Sequence, residues 1–501
     1  MTKTFPDLLF VFEMANNHQG DVEHGLRIIS EMGQIAGRYG VRAAVKLQYR
    51  ELDSFIHPDY AGRSDVKHIP RFLSTRLAPR DFRRLVAATR HAGMLTMVTP
   101  FDEPSVELAL EHEVDILKVA SCSANDWPLL EAIAGAGKPV ICSTGGKTIH
   151  DIDKAVSFFD HRYVTDLALL HCVGLYPTPN LQVQMRFMQR LQQRYRHLAV
   201  GYSGHEAPDN LDVVKAAVAL GARVLERHVG LPHESGGLNA YSTDAAQTSA
   251  WVESALRMKE IVGPAAAASF EKAITPEEIR SLHQLTRGSF ARRALKAGET
   301  LGREDVFFAM PCGEGQTTSG EFVEGMTASR DYAEGEALTE SRSRGSIEVM
   351  REAIHDAKGL LQEAGIQIGS QFEVELSHHH GPQQFRRFGA VIINLLNREY
   401  CKKLIVVLPG QHHPGHFHKV KEETFHVLYG ELDLILEGTP RHLVAGDMQL
   451  IERGQNHEFR SEGGCIIEEI STTHVPKDSH YKDRRIASSD PMLRKTLVEA
   501  W

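Results

Sequence analysis

The stretch LAVGYSGHEAPDNLDVVKAAVALGARVLERH, residues 198–228, contains one complete repeat of the predicted fold. Two apolar, β-favouring runs, Leu198–Ser203 and Ala222–His228, flank a segment long enough to form a helix. Two strands joined by a helix in this way make a parallel βαβ unit. Both runs end on polar residues, so the pattern also indicates chemistry at the carboxyl ends of the strands.

The same pattern recurs between residues 8 and 228, with helix-like segments of roughly 10–15 residues between the runs. The eight runs are Leu8–Glu13, Val41–Gln48, Met94–Thr99, Val114–Ser121, Pro139–Ser143, Leu167–His171, Leu198–Ser203 and Ala222–His228. Eight βα units close a (β/α)8 barrel, the TIM barrel, whose active sites lie at the carboxyl ends of the strands. We therefore predict an α/β protein that begins with a TIM barrel over residues 1–262.

The remaining chain predicts two further domains. Residues 263–284 are interpreted as a linker with a short helix that opens with the capping pattern Thr275-x-x-Glu278. Residues 285–342 carry two similar turns, Lys296–Glu299 and a second within Tyr332–Leu338, which indicates a small β-rich module. Residues 346–501 begin with an amphipathic helix and continue as short strands with glycine turns, the pattern of an all-β domain.

The bulk composition excludes several classes of function. Of the 501 residues 42% are apolar and 24% charged, as in ordinary globular proteins, and the net charge is −9. No basic run indicates a nucleic-acid partner, and no apolar stretch approaches the ~20 residues of a membrane span. Six cysteines are scattered without a CxxC pair, which is typical of a reducing compartment. We predict a cytoplasmic protein that binds neither nucleic acid nor membrane.

The polar residues that close the eight runs should converge on one site at the barrel mouth. They are Glu13, Lys46, Gln48, Thr99, Lys118, Ser121, Ser143, His171, Ser203, His205, Glu226 and His228. His205 and His228 lie at the ends of neighbouring strands and can coordinate one divalent ion. Two histidines leave other coordination positions of that ion open for substrate. Lys46 and Lys118, with the nearby hydroxyls, suit a phosphate and a carboxylate, and Glu13 remains for proton transfer.

These segments resemble the sialic acid synthase (N-acetylneuraminate synthase) family. The resemblance is carried by Glu13–Gly20, Lys46–Gln48, Thr99–Asp102, Lys118–Ser121, Ser143–Gly146, Leu175–Pro179, Gly201–His205 and Glu226–His228. Residues Arg287–Glu299 resemble the antifreeze-like (SAF) domain that follows the barrel in that family. The likeness covers about residues 8–342, in order and with family-like spacing.

The resemblance implies a carbon–carbon bond-forming transferase that condenses phosphoenolpyruvate with an aldehyde-form hexose or N-acylhexosamine. The products would be a 2-keto-3-deoxy nonulosonic, sialic-acid-like acid and phosphate, with manganese at His205 and His228. The residues implied to bind phosphoenolpyruvate are Lys46, Thr99, Lys118, Ser121, Ser143 and Ser203. Those implied to face the sugar are Gln48, Tyr176 and Glu226, together with Arg287 from the neighbouring subunit of a domain-swapped homodimer. Glu13 would be the catalytic proton-transfer group.

Two departures leave the acceptor sugar open. The family usually has an Asp-His pair, then an aromatic residue and Ser, after the last strand, and Gly237–Ser242 lacks that pair. Gly174 stands where many members have Asn. N-acetylmannosamine and other acceptors both remain possible.

A second metal site is predicted near the C-terminus. His416 and His418 alternate along a strand and share a face, and Glu423 and His457 can join them from other strands. The spacing resembles the two cupin motifs, and the surrounding residues resemble sugar-isomerase cupins such as D-lyxose isomerase, with Lys421 beside the metal. We interpret His378–His380 as a polar strand edge.

The alternatives to the synthase are a bifunctional sugar isomerase or epimerase whose barrel has drifted, and a non-catalytic sugar-binding regulator. The metal of the cupin is either structural, ligand-sensing or catalytic.

Overall fold

The computed structural model describes residues 4–66, 68–234, 237–263, 272–340, 345–475, 477–499 and 501. The chain divides into two compact units, Met1–Ala266 and Ala267–Trp501. Part of the predicted linker, residues 264–271, lies outside the described residues. The finer domain boundaries remain predictions.

The first unit is a closed barrel of eight parallel strands in sequential order, so the predicted TIM-barrel architecture is confirmed. The strands are β1 Leu9–Glu13, β2 Ala43–Tyr49, β3 Leu95–Pro100, β4 Ile116–Val119, β5 Val140–Ser143, β6 Leu167–Cys172, β7 Ala199–Gly204 and β8 Val224–His228. Each lies within two residues of its predicted run at both ends, because short apolar runs between helices are a strong local signal.

Helices surround the barrel. They are α1 Val22–Tyr39, α2 Leu52–Phe55, α3 Ile69–Ser74, α4 Pro79–His91, α5 Glu103–Glu111, α6 Trp127–Gly135, α7 Ile149–Asp160, α8 Asn180–Val183, α9 Met185–Arg194, α10 Asp212–Ala219 and α11 Ala245–Val262. Side-chain caps define several of their starts, including capping boxes at Thr148 and Asp244. The insertion between β2 and α4 carries the two short helices α2 and α3 near the carboxyl end of the barrel.

Strand periodicity explains how the barrel builds a site above its core. The interior is filled by side chains such as Val11, Ala44, Met97, Ile116 and Ile141. Because side chains alternate between the two faces of a strand, residues two or four positions further along point into the same interior. At the carboxyl ends of these strands the interior side chains are polar, and they form the mouth of the barrel.

The first part of the second unit is a small β-rich module. Helix α12, Pro276–His283, starts at its predicted cap, where Thr275 accepts from the Glu278 backbone N–H. The strands are β9 Gly288–Ala291, β10 Thr300–Leu301, β11 Val306–Ala309 and β12 Met326–Thr327. Glu299 and Glu336 each accept a backbone N–H three residues earlier in their own turns, so the repeated turns are alike in structure as in sequence. The assignment of this module as an SAF domain stays a prediction.

The C-terminal part is the predicted all-β domain. Helix α13, Ser346–Glu363, packs Val349, Ala353, Ala357 and Leu361 against the sheet. The sheet order is β22-β16-β20-β17-β21-β15-β14-β13-β23, with β18 and β19 paired to β17. The bounds are β13 Glu373–His378, β14 Gly389–Asn397, β15 Tyr400–Val407, β16 Gln411–His418, β17 Glu423–Leu436, β18 Thr439–Val444, β19 Met448–Ile451, β20 His457–Ser461, β21 Cys465–Thr472, β22 Ser479–Tyr481, α14 Arg484–Ala487 and β23 Lys495–Val498.

A search of the helices in the described part of the chain finds none that is long and apolar enough to span a membrane.

Candidate active site and metal centre

Four buried charged groups form a network at the barrel mouth. Glu226 accepts from Lys46 at 2.8 Å, from Lys118 at 3.2 Å to each carboxylate oxygen, and from the Ser203 hydroxyl at 2.8 Å. Lys46 also forms an ion pair with Glu13. Two carboxylates and two amino groups are therefore paired away from water, which offsets part of the cost of burying their charges.

The charges of this network perturb one another. Burial lowers the pKa of Lys46 to about 7, although Glu226 opposes the shift. Burial by itself would raise the pKa of Glu226, but Lys118 and Lys46 hold that pKa below its ordinary value. Glu226 is thus a carboxylate at neutral pH, and Lys46 titrates in the physiological range.

Two hydroxyls face this network without a partner. Thr99 and Ser143 follow the interior residues Met97 and Ile141 by two positions, so they point into the mouth. Both are buried, and neither hydroxyl oxygen has a hydrogen-bond partner among the described residues. Ser121 lies on the turn after β4, and its oxygen accepts from the Gly145 backbone N–H at 2.9 Å. Unpartnered buried hydroxyls beside two ammonium groups suit an oxyanion ligand.

The predicted histidine pair meets at the same mouth, where His228 lies opposite Glu13 in the register of β8 and β1. The rings of His205 and His228 are 5.3 Å apart between centroids. The His205 Nδ1 donates to the Val173 carbonyl at 3.0 Å, which leaves the lone pair on Nε2. The buried Nδ1 of His228 has no partner among the described residues. Burial lowers the pKa of His205 to about 4 and that of His228 well below its ordinary value, so both rings are neutral, the form that binds metal.

Aromatic side chains enclose this pair. The Tyr176 ring lies 4.3 Å from His205, and the Tyr241 ring lies 5.1 Å from both His228 and Tyr176. Tyr176 is a predicted sugar-binding residue and is half exposed, as a substrate-facing residue should be. Sequence reasoning missed Tyr241 because it lies in a loop with no periodic signal.

The remaining predicted residues divide into three cases. Gln48 donates to Glu13 at 3.4 Å and belongs to the mouth. His171 lies between the interior residues Leu170 and Cys172, so it faces outward, and its Nε2 donates to the Val183 carbonyl at 2.6 Å. The expectation that His171 joins the site is wrong, because it has the opposite strand parity. Arg287 is an exposed residue of the second unit.

A buried ion pair between Arg227 and Glu206 lies on the outer side of the barrel strands, behind the mouth. Sequence reasoning did not predict it. Arg227 lies between Glu226 and His228 and points to the opposite face of β8. Its guanidinium donates to the Glu206 carboxylate at 2.5 Å and to two backbone carbonyls, while the Tyr202 hydroxyl donates to the same carboxylate at 3.1 Å. This pair holds the loop that carries His205. The alternating parity of β8 was the available signal for Arg227, but no local pattern indicates its partner.

The C-terminal domain brings together the four predicted metal ligands, His416, His418, Glu423 and His457. One ligand atom from each lies within 4.8 Å of all the others, and all four residues are buried. β16 and β20 pair His416 directly with His457, and the buried alternation of His416 and His418 confirms that they share a face.

The orientation of these ligands fits a cation. The Nδ1 atoms of His416, His418 and His457 each contact a backbone carbonyl, at 3.1, 2.9 and 3.2 Å, which turns each Nε2 inward. The His457 Nε2 and a Glu423 oxygen are 2.9 Å apart, a separation that fits an ion pair or two ligands of one metal ion. Three inward Nε2 atoms and a carboxylate form a donor set that suits a divalent cation. Burial by itself would raise the pKa of Glu423, but Lys421, 2.5 Å away, and the histidines hold it well below its ordinary value.

The interpretation of His378–His380 as a polar strand edge is wrong. β13 pairs with both β14 and β23, so it is not an edge strand, and His378 and His379 are buried. The His379 Nε2 bonds to the Tyr481 hydroxyl at 3.0 Å, and Tyr481 stacks on His416 with 5.3 Å between ring centroids. Local sequence does not predict this contact beside the metal ligands, because His379 and Tyr481 are 102 residues apart in the chain.

Known proteins match both parts of the chain. The model of the NeuB family matches residues 34–266, and that of the cupin domain matches residues 403–467. An uncharacterized protein of Methanocaldococcus jannaschii is 31% identical over 296 residues, which cover 59% of this chain and 82% of that protein. The crystal structure of a Chromobacterium violaceum protein, provisionally named spore coat polysaccharide biosynthesis protein E, is 43% identical with a TM-score of 0.63. It covers 66% of this chain and 98% of that one.

The chain belongs to the NeuB family. NeuB relatives include the pseudaminic acid synthase of Campylobacter jejuni, which is 26% identical over 346 residues, 67% of this chain and 97% of that enzyme. The resemblance to the sialic acid synthase family is thereby confirmed, and so is the C-terminal cupin. Other matches are an N-acetylneuraminate-9-phosphate synthase of Drosophila melanogaster and an N,N'-diacetyllegionaminic acid synthase of Campylobacter jejuni.

Proposed function

We propose that the barrel condenses phosphoenolpyruvate with the aldehyde form of a hexose or N-acylhexosamine. The products are a 2-keto-3-deoxy nonulosonic acid and phosphate. One arrangement carries the proposal: two buried ammonium groups and unpartnered hydroxyls lie at the same barrel mouth as a neutral histidine pair. The first half suits a phosphorylated carboxylic acid, and the second suits a metal that still has open positions.

The chain's own residues supply most of the steps. Lys46, Lys118 and the hydroxyls of Thr99 and Ser143 would hold the phosphate and carboxylate of phosphoenolpyruvate, with Ser121 and Ser203 beside them. Gln48, Tyr176 and Glu226 would orient the sugar. The alkene carbon C3 forms a bond to the aldehyde carbon, water adds to C2, and the bond between C2 and the phosphate oxygen breaks.

Three proton movements accompany this reaction. Glu13 would accept one proton of the attacking water, and the aldehyde oxygen gains one to become a hydroxyl. The second proton of that water leaves the C2 hydroxyl for the departing phosphate as the 2-keto group forms. His205 and His228 would hold a divalent ion, which we propose to be manganese and which polarises the aldehyde when bound. The neutral state of both rings and the lone pair left on Nε2 of His205 fit that role.

The experiment measures phosphate release from phosphoenolpyruvate with manganese, across hexoses, N-acylhexosamines and their 6-phosphates. Release with one sugar class supports the synthase and identifies its acceptor. The double variant His205→Ala, His228→Ala should abolish release, while replacement of the exposed His161 by Ala should not. Undiminished release in the double variant would refute the metal assignment. No release from any sugar, with the metal bound, would refute the synthase.

We also propose the domain-swapped homodimer in which Arg287 contacts the sugar of the neighbouring subunit. The test mixes two inactive variants, Glu13→Gln and Arg287→Ala, after exchange of subunits. In a swapped dimer, some mixed dimers carry one intact site, so part of the activity returns. Two sites that each use residues of a single chain would stay inactive in every mixture.

A second candidate function concerns the cupin. Glu469 is a buried carboxylate outside the ligand set and is bonded to Lys421 at 2.9 Å. Both line a cavity of about 70 Å³ together with Tyr481, His416, His418 and Glu423. A carboxylate and an ammonium beside a metal suit sugar isomerisation or epimerisation. Exchange of the C2 hydrogen of an acceptor sugar with solvent, lost in Glu469→Gln, would support this activity. Sugar binding without exchange would favour the non-catalytic regulator.

A further inference from the structure

A second cavity adjoins the barrel mouth beneath the insertion between β2 and α4. Its volume is about 390 Å³, large enough for a monosaccharide substituent. Gln48 belongs both to this cavity and to the mouth, where it contacts Glu13. Apolar side chains form much of its wall, and Arg50, Arg76 and His18 bring nitrogen donors to it.

Arg50 is held rigidly at this cavity. Its guanidinium lies between the rings of Phe101 and Phe72, with the central carbon 3.5 and 4.1 Å from their centroids. One edge of the group donates to the Gln48 side-chain oxygen at 3.0 Å. No carboxylate oxygen of the described residues lies within ion-pair distance of it, and its buried Nε has no hydrogen-bond partner there. A guanidinium clamped on both faces presents its remaining donors in a fixed direction.

Two other arginines of the insertion have counter-ions, in contrast to Arg50. Arg63 is paired with Asp65 at the surface, and Arg76 with Asp53 at 2.6 Å. Arg71, like Arg50, bonds only to neutral oxygens among the described residues, those of Gln19 and the Asn16 backbone.

Arg50 is therefore the cavity arginine whose guanidinium makes no ion pair with the described residues. Burial lowers the pKa of Arg50 to about 10, and the charge of Asp102, which lies beyond ion-pair distance, opposes that shift. Glu51, the one acid among the described cavity residues, lies 3.6 Å from Arg76, and its carboxylate makes no ion pair with Arg50.

His18 adds a neutral donor to the same wall. Its Nδ1 accepts from the Gly20 backbone N–H at 3.1 Å, so Nε2 carries the hydrogen. Contacts run from Glu13 through Gln48 to Arg50, which links the proposed reaction centre with the cavity. Consider a sugar with its aldehyde at the histidine pair and its ring in contact with Gln48. The carbons farthest from the aldehyde would then point toward Arg50 in the cavity.

We propose that this cavity binds an oxyanion, a phosphate or a carboxylate, on the far carbon of the acceptor sugar, with Arg50 as its main ligand. The inference rests on the proposed synthase function and specifies its substrate class: the acceptor is an anionic sugar. A bidentate guanidinium contact to such a group is among the strong charge-assisted hydrogen bonds in proteins.

The experiment compares matched acceptors in wild-type enzyme and two variants. Each hexose and N-acylhexosamine is tested with its own 6-phosphate and its own C6 uronate. The variants are Arg50→Gln and the control Arg63→Gln, which removes an equal charge from the surface of the same insertion. Phosphate release gives kcat/KM, and calorimetry gives binding of the same sugars without phosphoenolpyruvate. Arg50→Lys keeps the charge and is used if Arg50→Gln does not fold.

We expect an anionic member of one pair to be the better substrate, and Arg50→Gln to lower its kcat/KM by about tenfold to a hundredfold, mainly through KM. The neutral partner should change little, and Arg63→Gln should match the wild type. A preference for the phosphate over the uronate, or the reverse, identifies the oxyanion. Equal loss for charged and neutral sugars, or no loss, would overturn the proposal.

Failure of the synthase itself has a different signature. If no sugar supports phosphate release, calorimetry still reports on the cavity. Binding of a sugar phosphate or uronate that weakens about tenfold or more in Arg50→Gln would support the anion site alone. Absence of such binding in the wild type would overturn it.

Discussion

Replacement of Glu13 by Gln tests the proposed proton transfer with the smallest change of shape. Glu13 is buried at the end of β1, paired with Lys46 and contacted by Gln48 at 3.4 Å. The amide fills the same space but cannot take a proton from water. Lys46 keeps its contact with Glu226 at 2.8 Å, so the cation that would hold phosphoenolpyruvate is not left without a carboxylate.

The expected effects on turnover and on binding differ by orders of magnitude. General acid–base catalysis contributes about 10²–10⁴-fold to a rate, so kcat should fall by that factor. That fall corresponds to about 3–5 kcal/mol of transition-state stabilisation. Phosphoenolpyruvate affinity should change by no more than about threefold, since Lys46, Lys118 and the hydroxyls remain. Loss of one charged hydrogen bond should lower the free energy of unfolding by about 1.5–3 kcal/mol.

The assay pairs steady-state phosphate release with equilibrium binding of phosphoenolpyruvate to the manganese-loaded enzyme. The control is Glu111→Gln on the exposed surface of α5, which should match the wild type in both measurements. Equal losses in kcat and in phosphoenolpyruvate affinity would refute the reasoning, because they would mean that Glu13 only supports Lys46. Unchanged kcat would exclude Glu13 from proton transfer.

Because burial lowers the pKa of Lys46 to about 7, its ammonium form is lost as pH rises through 7, and phosphoenolpyruvate binding should weaken there. Lys46→Arg should move that loss to higher pH; an unmoved profile would contradict the assignment. His416→Ala should remove one bound metal per chain and leave the condensation intact, whereas loss of both activities would show coupled domains. Glu206→Gln leaves the buried Arg227 without its counter-ion and should lower the free energy of unfolding by about 3–5 kcal/mol in urea titrations. A loss below 1 kcal/mol, as for an exposed pair, would contradict that role.

Much of the barrel site follows from local sequence. Apolar runs bounded by helix-like segments predict the eight strands, and the polar residue at each run's end predicts the mouth. Parity along a strand separates residues that reach the interior, such as Glu226 and His228, from those that do not. His171 was mispredicted because its strand extends one residue further, to Cys172, and Cys172 takes the interior position instead.

The cupin ligands could also be predicted from local sequence, since His416 and His418 alternate on one strand. The contact of Tyr481 with His416 could not, because Tyr481 lies on a strand distant in sequence. The buried position of His379 follows from the pairing of β13 with β23, the final strand of the chain.

Strand periodicity and burial are short-range properties that repeat along the chain, so local sequence predicts the barrel, the cupin and the residue types at their mouths. The pairing of the buried charges depends instead on tertiary contacts. Glu226 pairs with two lysines from two other strands, and Arg227 pairs with Glu206 in a neighbouring loop. Arg50 lies between two rings, with no carboxylate of the described residues within ion-pair distance. These contacts join residues far apart in the chain, many in aperiodic loops, and the free energy of a buried charge depends on the groups packed around it rather than on its neighbours in sequence.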